Sequence, residues 1–253
     1  MCQYMYFSTV TDRCLPSDDV YSNLSIRCVR QHALKNIEQF MDDLSLAVKY
    51  VVVCLNSTAP MDPKEVNMLR DVLGKHDQLG KEDILILYEA LANAQNELPE
   101  DTMAKTQELV RQAWDMLPTL SIRDCSHLMN HGKLDICAMV GAQAVEELFQ
   151  RLTSDIKQLE SDVVLRLVEF ASKQNHLSTR MIGIIEVDPS IIPVTATAAV
   201  AVLELYLNAG RSCDSKACKW ARDKLTNRRT IIDPRYSERM QRIVDRISTH
   251  NAS

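Results

Sequence analysis

A helical apolar pattern recurs in this chain about every 40 residues, and it limits the possible folds more than any other feature. Counted from a start residue, apolar or small side chains stand at offsets of +5, +8, +9 and +12, which share one face of an α-helix. The starts are residues 39, 79, 120, 159 and 194, so the spacings are 40, 41, 39 and 35 residues. A period of this length is typical of tandem helix-pair repeats.

The copies that start at Leu79, Leu120 and Leu159 match the pattern closely, whereas those at Gln39 and Val194 match it more loosely. Three copies also carry an aspartate at offset +4, in the first turn of the predicted helix, where a negative charge favours the helix dipole. These aspartates are Asp43, Asp83 and Asp124.

A second apolar stripe follows each of these leading helices and predicts a second helix. The stripes contain Val66, Leu69 and Leu73; Leu109, Val110, Ala113, Trp114 and Leu117; Val145, Leu148, Phe149 and Leu152; Met181, Ile182 and Ile185; and Ala217, Trp220, Ala221 and Leu225. The fourth stripe predicts a shorter helix that stops before Pro189, and the two prolines in residues 186–193 predict an extended link. Because one helix pair cannot bury both apolar faces, neighbouring pairs are expected to stack.

The sequence therefore predicts an all-α protein, an α-solenoid of about five helix-pair repeats with capping helices at both ends. The repeats cover residues 39–226, after an N-terminal segment and capping helix in residues 1–38. Residues 227–253 are expected to form a basic C-terminal amphipathic helix with Tyr236, Met240, Ile243, Val244 and Ile247 on one face. With 6 Gly and 8 Pro in 253 residues, few residues suit tight hairpins, which disfavours a barrel or sandwich. A non-repetitive helical bundle is the alternative.

Residues 120–129 (LSIRDCSHLM) resemble the start of octotricopeptide and heptatricopeptide-type repeats, organellar helical repeats that in some proteins accompany a RAP domain. Residues 79–84 and 159–164 are weaker copies, and the resemblance covers residues 39–226. It implies an α-solenoid, and it implies either binding of organellar RNA or a structural role in mitochondrial ribosomes and respiratory assemblies. The chain departs from the RNA-binding members in its acidic body and in lacking a recognisable RAP domain.

Charge is distributed unevenly along the chain. Residues 211–253 hold 11 Lys+Arg against 5 Asp+Glu, whereas the whole chain has a formal charge of −5. The basic C-terminal region is therefore the candidate contact for RNA or an acidic partner, with anionic lipid or a plain solvated face as alternatives. Its candidate residues are Lys216, Lys219, Arg222, Lys224, Arg228, Arg229, Arg235, Arg239, Arg242 and Arg246. At offset +6 of the repeats, Leu85, Ser126 and Arg166 form no consistent recognition code.

Two groups of histidine and cysteine residues could either bind a metal ion or simply pack within the fold. His127 and His131 are four residues apart on one predicted helix near Cys125 and Cys137, a spacing that can hold one metal ion. Surface histidines beside a buried cysteine are the favoured interpretation. Cys213 and Cys218 are five residues apart, which is not the spacing of a zinc ribbon or redox pair, so packing is favoured there too.

No nucleophile elbow, phosphate-binding loop, dinucleotide fingerprint or kinase signature occurs in the sequence, so the prediction is a non-enzyme without catalytic residues, metal or cofactor. The longest apolar run, residues 194–207, is interrupted by Thr195, Thr197 and Glu204, which predicts no membrane span. The start of the chain lacks the basic and apolar regions of a secretory signal, and the scattered cysteines favour a reducing compartment.

The leading hypothesis is a non-catalytic scaffold, a structural subunit of a larger mitochondrial protein or ribonucleoprotein assembly, whose partners are other protein subunits. RNA contact would then fall to the basic C-terminal region. The alternative is an organellar RNA-binding repeat protein that acts in RNA processing, stability or translation, and an enzyme is the third hypothesis. The cytoplasm is the alternative location.

Overall fold

The regular structure of the chain is helical. The computed structural model describes Arg30, Leu34, residues 42–94, 97–130, 132, 134–211 and 215–226, and Ile243. Within these residues there are eleven α-helices, five short 3-10 turns and no strand, which confirms the all-α prediction. The chain divides into two compact units, Met1–Ala144 and Val145–Ser253. No helix among the described residues has both the length and the apolar character needed to cross a membrane.

The first unit has two rows of helices. Its α-helices are α1 (Leu44–Leu55), α2 (Pro63–Gly74), α3 (Lys81–Ala92), α4 (Met103–Asp115), α5 (Ile122–Leu128) and α6 (Ile136–Val140). The leading helices α1, α3 and α5 pack side by side in chain order, and the second helix α2 packs beside the second helix α4. The short helix α6, which the sequence did not predict, packs on α4. Helix α1 also contacts α2, and α3 contacts α4, so each of these leading helices packs on its own partner as well as on its neighbour.

The second unit repeats this contact pattern. Its α-helices are α7 (Ala142–Ser154), α8 (Ser161–Ser172), α9 (Asn175–Val187), α10 (Ala196–Asn208) and α11 (Lys216–Thr226), and the unit boundary falls in the first turn of α7. The leading helices α8 and α10 contact each other, as do the second helices α9 and α11. Within the pairs, α8 packs on α9 and α10 packs on α11.

Within each unit, the apolar stripes of the leading helices are buried. At offsets +5, +8, +9 and +12, all apolar side chains except Leu44 are at most 4% exposed, and Leu44 is half-buried. Helices α1 and α10 are buried on several sides, since the consecutive residues Val200, Ala201 and Val202 of α10 all have 0% exposure. Successive helical residues point in directions about 100° apart, so a neighbour must cover each of these sides.

A recurring turn leads into four of the leading helices. The 3-10 turns His76–Gln78, Leu117–Thr119, Ile156–Gln158 and Pro189–Ile191 stand before α3, α5, α8 and α10. The next residue is extended in each case, and its N–H donates to the carbonyl of the first turn residue at 3.2–3.3 Å. These extended residues are Leu79, Leu120, Leu159 and Ile192. The apolar pattern located the first three of them as repeat starts, but it did not predict the turns.

Two predictions around α9 were wrong. The helix is not shorter than the others, because it spans 13 residues, and Leu177 and Ser178 extend its buried face. The hydroxyl of Ser178 donates to the Ala171 carbonyl at 2.7 Å and so ties α9 to the end of α8. The segment 186–193 is not a simple extended link, because Pro189 begins a 3-10 turn in which Asp188 accepts a hydrogen bond from the Ser190 N–H.

Both predicted capping segments lie mostly outside the described residues. In the N-terminal segment, Arg30 and Leu34 are helical, and Arg30 is buried. In the C-terminal segment, Ile243 is helical and 3% exposed, in agreement with its place on the predicted apolar face. Each segment therefore contributes at least one side chain to the buried interior.

Gly132, at offset +12 of the third copy, marks a close approach between two parts of the first unit. Its φ is +45°, in the left-handed region that favours glycine. A Cβ atom at this position would lie 1.8 Å from the backbone oxygen of Ala92, the last residue of α3. The chain after α5 can therefore cross the end of α3 only where a side chain is absent.

We expect Gly132→Ala to lower the free energy of unfolding by about 3 kcal/mol or more, because it combines backbone strain with a clash. Gly210→Ala is the matched control, since Gly210 has φ +63° but open space around it, and it should cost only about 1 kcal/mol. Urea unfolding followed by circular dichroism measures both values. Equal losses in the two variants would contradict the close approach.

Candidate interaction surface

Part of the predicted basic region lies on α11. Lys216 and Lys219 are exposed there, and Arg222 and Lys224 are half-buried. The remaining candidate residues lie outside the described residues, and they are Arg228, Arg229, Arg235, Arg239, Arg242 and Arg246. The structure therefore describes the geometry of the N-terminal part of the candidate surface only.

A surface depression with a volume of about 490 Å³ lies along one face of α11. Its lining residues follow the i, i+3, i+4, i+7, i+8 spacing of a single helical face, and they are Lys216, Lys219, Trp220, Asp223 and Lys224. Arg222 is not among them, so the structure brings together three of the predicted cations and separates the fourth. We call this set of five residues the lysine–tryptophan face.

Trp220 was predicted as part of an apolar stripe, and the structure places it at the edge of the buried side of α11. Ala217 and Ala221 of that stripe are buried, together with Cys218, on the side of α11 that packs against α10. Trp220 and Leu225 are half-buried, and Trp220 also lines the depression. Its helical position lies between the buried and the exposed side, and a helical projection alone does not decide to which side such a residue belongs.

The histidine pair does not form a metal site with the residues that the structure describes. His127 Nδ1 lies 2.6 Å from Glu89 Oε2 on the neighbouring leading helix α3, and Asn130 donates to the other oxygen of Glu89. Cys125 is buried, and His131 lies outside the described residues. No group of three or more His, Cys, Asp or Glu side chains in the described part of the chain could hold a metal ion.

The cysteine pair is described only at Cys218, which is fully buried, while Cys213 lies outside the described residues. None of the described cysteines, Cys54, Cys125, Cys137 and Cys218, takes part in a disulfide. Burial of Cys218 between α11 and its neighbours agrees with the predicted packing role.

The aspartates at offset +4 join neighbouring leading helices. Asp83 of α3 accepts a hydrogen bond from Ser45 of α1 at 3.1 Å, and Asp124 of α5 accepts one from Lys81 of α3 at 2.8 Å. The Lys81 ammonium group, with further hydrogen bonds from Ser121, lowers the pKa of Asp124. The prediction that these carboxylates lie in the first helical turn is correct for Asp83 and Asp124, whereas Asp43 is the N-cap of α1.

Offset +6 is not available to a ligand in α3 and α5. Leu85 of α3 is 3% exposed and Ser126 of α5 is 7% exposed. Ser126 donates its hydroxyl hydrogen to the carbonyl of Arg123 within its own helix. Burial therefore explains why offset +6 carries no recognition residue in α3 and α5, whereas Arg166 at the same offset of α8 is half-buried.

A buried ion pair, which the sequence did not predict, connects the N-terminal segment to the first helix pair. Arg30 is 6% exposed and Glu65 is 1% exposed, and the guanidinium group donates to both oxygens of the carboxylate. Arg30 Nη1 also donates to the hydroxyl of Ser57 at 2.9 Å and to the carbonyl of Ala59 at 3.0 Å. Its Nη2 donates to the carbonyl of Pro60 at 2.9 Å, so one side chain holds the turn between α1 and α2.

Glu65 has four kinds of partner at once. Besides Arg30, it accepts hydrogen bonds from the Tyr50 hydroxyl at 2.7 Å and from the Cys54 thiol at 3.3 Å. It also accepts from the backbone N–H of Asp62 at 2.7 Å and so completes the capping box that begins α2. A carboxylate with this many donors can stay ionised inside a protein.

This cluster contains the thiol of Cys54, the phenol of Tyr50 and the carboxylate of Glu65. Such groups are used in catalysis, but the environment of these three opposes a catalytic role. Burial, together with the nearby Glu65, raises the pKa of the Cys54 thiol, and burial also raises the pKa of Tyr50. Burial by itself would raise the pKa of Glu65, but the hydrogen bonds from Arg30, Tyr50 and Asp62 outweigh it and keep that pKa low. A protonated thiol is a poor nucleophile, so the cluster is suited to stabilising the fold.

Comparison with known proteins found no match to this chain among protein-family models, curated proteins or solved structures. The chemistry of the lysine–tryptophan face therefore has to follow from its own residues. Primary amines bind phosphate or carboxylate groups, and an indole ring stacks on flat unsaturated rings.

We expect Glu65→Gln to lower the free energy of unfolding by about 3–5 kcal/mol, because it leaves the Arg30 charge buried without its counterion. The double variant Arg30→Met, Glu65→Leu should lose less than either single change, since it removes both charges together. Chemical unfolding of Glu65→Gln, of Arg30→Met and Glu65→Leu alone, of the double variant and of the unchanged chain measures these values. Additive losses in the double variant would contradict the pairing.

The ion pair should also make stability depend on pH. The pKa of Glu65 is lower in the folded chain than its ordinary value of 4.5, so its contribution is fully present above about pH 4.5 and is lost as the pH falls through the folded-state pKa. Unfolding free energies measured between about pH 7 and pH 3 should therefore fall more steeply for the unchanged chain than for Glu65→Gln. Parallel profiles would show that Glu65 is not the group responsible.

Proposed function

We propose that this chain is a non-catalytic helical-repeat scaffold, a structural subunit of a larger mitochondrial protein or ribonucleoprotein assembly. Its architecture in this proposal is an α-solenoid of about five helix pairs over residues 39–226. The observation that carries the proposal is the repeated entry into the leading helices, in which a 3-10 turn and an extended residue precede α3, α5, α8 and α10. Repeat proteins are built from units that share one local geometry and contact mainly their neighbours.

Contacts between the leading helices support the same proposal. In each unit, leading helices lie beside leading helices and second helices beside second helices. Polar contacts follow the same order, as in Lys81 with Asp124 between α3 and α5 and Asn208 with the Ser172 carbonyl between α10 and α8. Extended repeat surfaces of this kind serve as binding platforms for other proteins.

The environment of the buried cluster around Glu65 supports the non-catalytic part of the proposal. Its carboxylate, Glu65, is fully engaged by Arg30, Tyr50 and Asp62, and burial raises the pKa of the Cys54 thiol. The mitochondrial location and the larger assembly are supported by the resemblance of residues 120–129 to organellar repeats. Fractionation of cells that express the tagged chain tests the location against the cytoplasmic alternative.

The competing proposal is an organellar RNA-binding repeat protein that acts in RNA processing, stability or translation. Burial of Leu85 and Ser126 speaks against RNA recognition at offset +6 of the repeats, and so does the acidic charge of the body. The lysine–tryptophan face of α11 favours RNA contact at a different place. The scaffold is therefore the better-supported function, with RNA contact as an addition to it.

Affinity purification of the tagged chain from its native source tests the scaffold, with protein and RNA content measured before and after RNase treatment. We expect a constant set of protein subunits that survives RNase, because the scaffold holds its partners by protein contacts. The triple variant Lys216→Glu, Lys219→Glu, Lys224→Glu should retain the same proteins. Lys173→Glu, an exposed lysine of the same unit, is the matched charge control.

Two outcomes would contradict the scaffold. The first is a chain that purifies without protein partners and binds RNA tightly, with a steep dependence on salt. The second is loss of every protein partner on RNase treatment, which would make RNA the link between the chain and its neighbours. Either result would favour the RNA-binding repeat protein.

A further inference from the structure

The lysine–tryptophan face combines cations and an aromatic ring on a part of α11 that its neighbours leave accessible. Lys216 and Lys219 are exposed, and the half-buried Trp220 lies one turn after Lys216 on the same face of α11. Two exposed cations beside an indole ring match an extended ligand, with anionic groups and flat rings, better than a single small ion.

We propose that this face binds single-stranded RNA, with the lysines on backbone phosphates and one base stacked on Trp220. A positively charged groove that follows the backbone and an aromatic side chain that stacks on a base are the two parts of a single-strand binding site. The proposal goes beyond the scaffold function, because a scaffold needs no RNA contact. It concerns α11, not the repeat positions whose side chains are buried.

Charge favours this location for RNA. Residues 211–253 carry 11 Lys+Arg against 5 Asp+Glu, so the rest of the chain must carry the excess of acidic residues behind the net charge of −5. A polyanion is repelled by the acidic part of the chain and attracted to a basic helix. Within α11, Asp223 is the single acidic residue among Lys216, Lys219, Arg222 and Lys224.

The aromatic ring decides between RNA and the other anionic partners. A helix that lies on a lipid surface inserts a broad apolar face, but Ala217, Cys218 and Ala221 of α11 are already buried inside the protein. An acidic protein surface would satisfy the lysines but would give Trp220 no flat ring to stack on. Nucleic-acid bases supply both the phosphates and the flat rings.

Fluorescence anisotropy with the full chain and an oligouridine of about twelve nucleotides tests the proposal. At low salt we expect a Kd on the order of 10⁻⁵ M or tighter, and a logarithmic salt slope of about −1.4 for two phosphate contacts, those of Lys216 and Lys219. Replacing one lysine, as in Lys216→Ala or Lys219→Ala, should reduce the slope by about 0.7. Both lysines are exposed, so these variants are expected to fold normally.

Trp220→Ala should weaken binding by about 5- to 150-fold without changing the salt slope, because a stacking contact releases no counterions. Trp220→Phe should recover part of the loss, whereas Trp220→Leu, which is apolar but not aromatic, should not. A thermal unfolding curve of each variant confirms that it is folded before binding is measured. Lys173→Ala, on an exposed lysine of the same unit, should leave both affinity and slope unchanged.

Polyglutamate of matched charge and phosphatidylserine vesicles form the two competing arms of the experiment. Tighter binding to either one than to the oligouridine would overturn the proposal in favour of an acidic protein surface or a lipid surface. Absence of oligouridine binding at low salt would overturn it directly, as would equal affinities for the folded Trp220 variants. A negative result with oligouridine would not contradict the proposed scaffold function, because the purified protein partners are measured independently of RNA.

Discussion

Two of the leading helices, α1 and α10, are too apolar to be covered from one side, and much of the packing in each unit follows from this constraint. In α10 the consecutive residues Val200, Ala201 and Val202 are all fully buried, and α8, α9 and α11 contact the helix. Helix α11 contributes its small residues, Ala217 and Ala221, to this packing, so the two helices can approach closely. The same packing leaves the opposite side of α11 at the surface. The position of the lysine–tryptophan face therefore follows from the need to cover α10.

Glu65, a buried charged group of the first unit, makes several interactions at the same time. Glu65 begins α2 as the partner of Asp62 in a capping box, and it accepts from Tyr50 of α1 and from Arg30. An ion pair between two hydrophobic helices contributes little net stability, because desolvation of both charges offsets their attraction. Its effect is on specificity, since Arg30 also binds the carbonyls of Ala59 and Pro60 and so fixes how the N-terminal segment meets the first pair.

The apolar periodicity of the sequence predicted which side of each leading helix is buried and where the helix begins, because both depend on residues three or four apart in the chain. Leu87 and Tyr88 of α3 are buried at their predicted offsets, and α5 begins two residues after Leu120. The Arg30–Glu65 pair joins residues 35 apart in the chain, and no local pattern contains that information. Trp220 shows a different limit, because its side of the helix depends on how far α10 covers α11. The basic composition of α11 follows from the sequence, but the position of the Trp220 ring beside the exposed lysines, in the same surface depression, does not.

The uneven distribution of charge along the chain has a consequence for how the proposed scaffold could contact RNA. Lysines spread along the repeats would attract a polyanion over the whole surface, where it would compete with protein partners. Lys81 adds little to such an attraction, because its ammonium group pairs with Asp124 and joins two leading helices. On α11, Lys216 and Lys219 are exposed beside Trp220, and the stacking ring adds a requirement that protein carboxylates do not meet. In the proposed RNA contact, electrostatics would favour α11, and stacking on Trp220 would select nucleic acid from among the anions that the lysines attract.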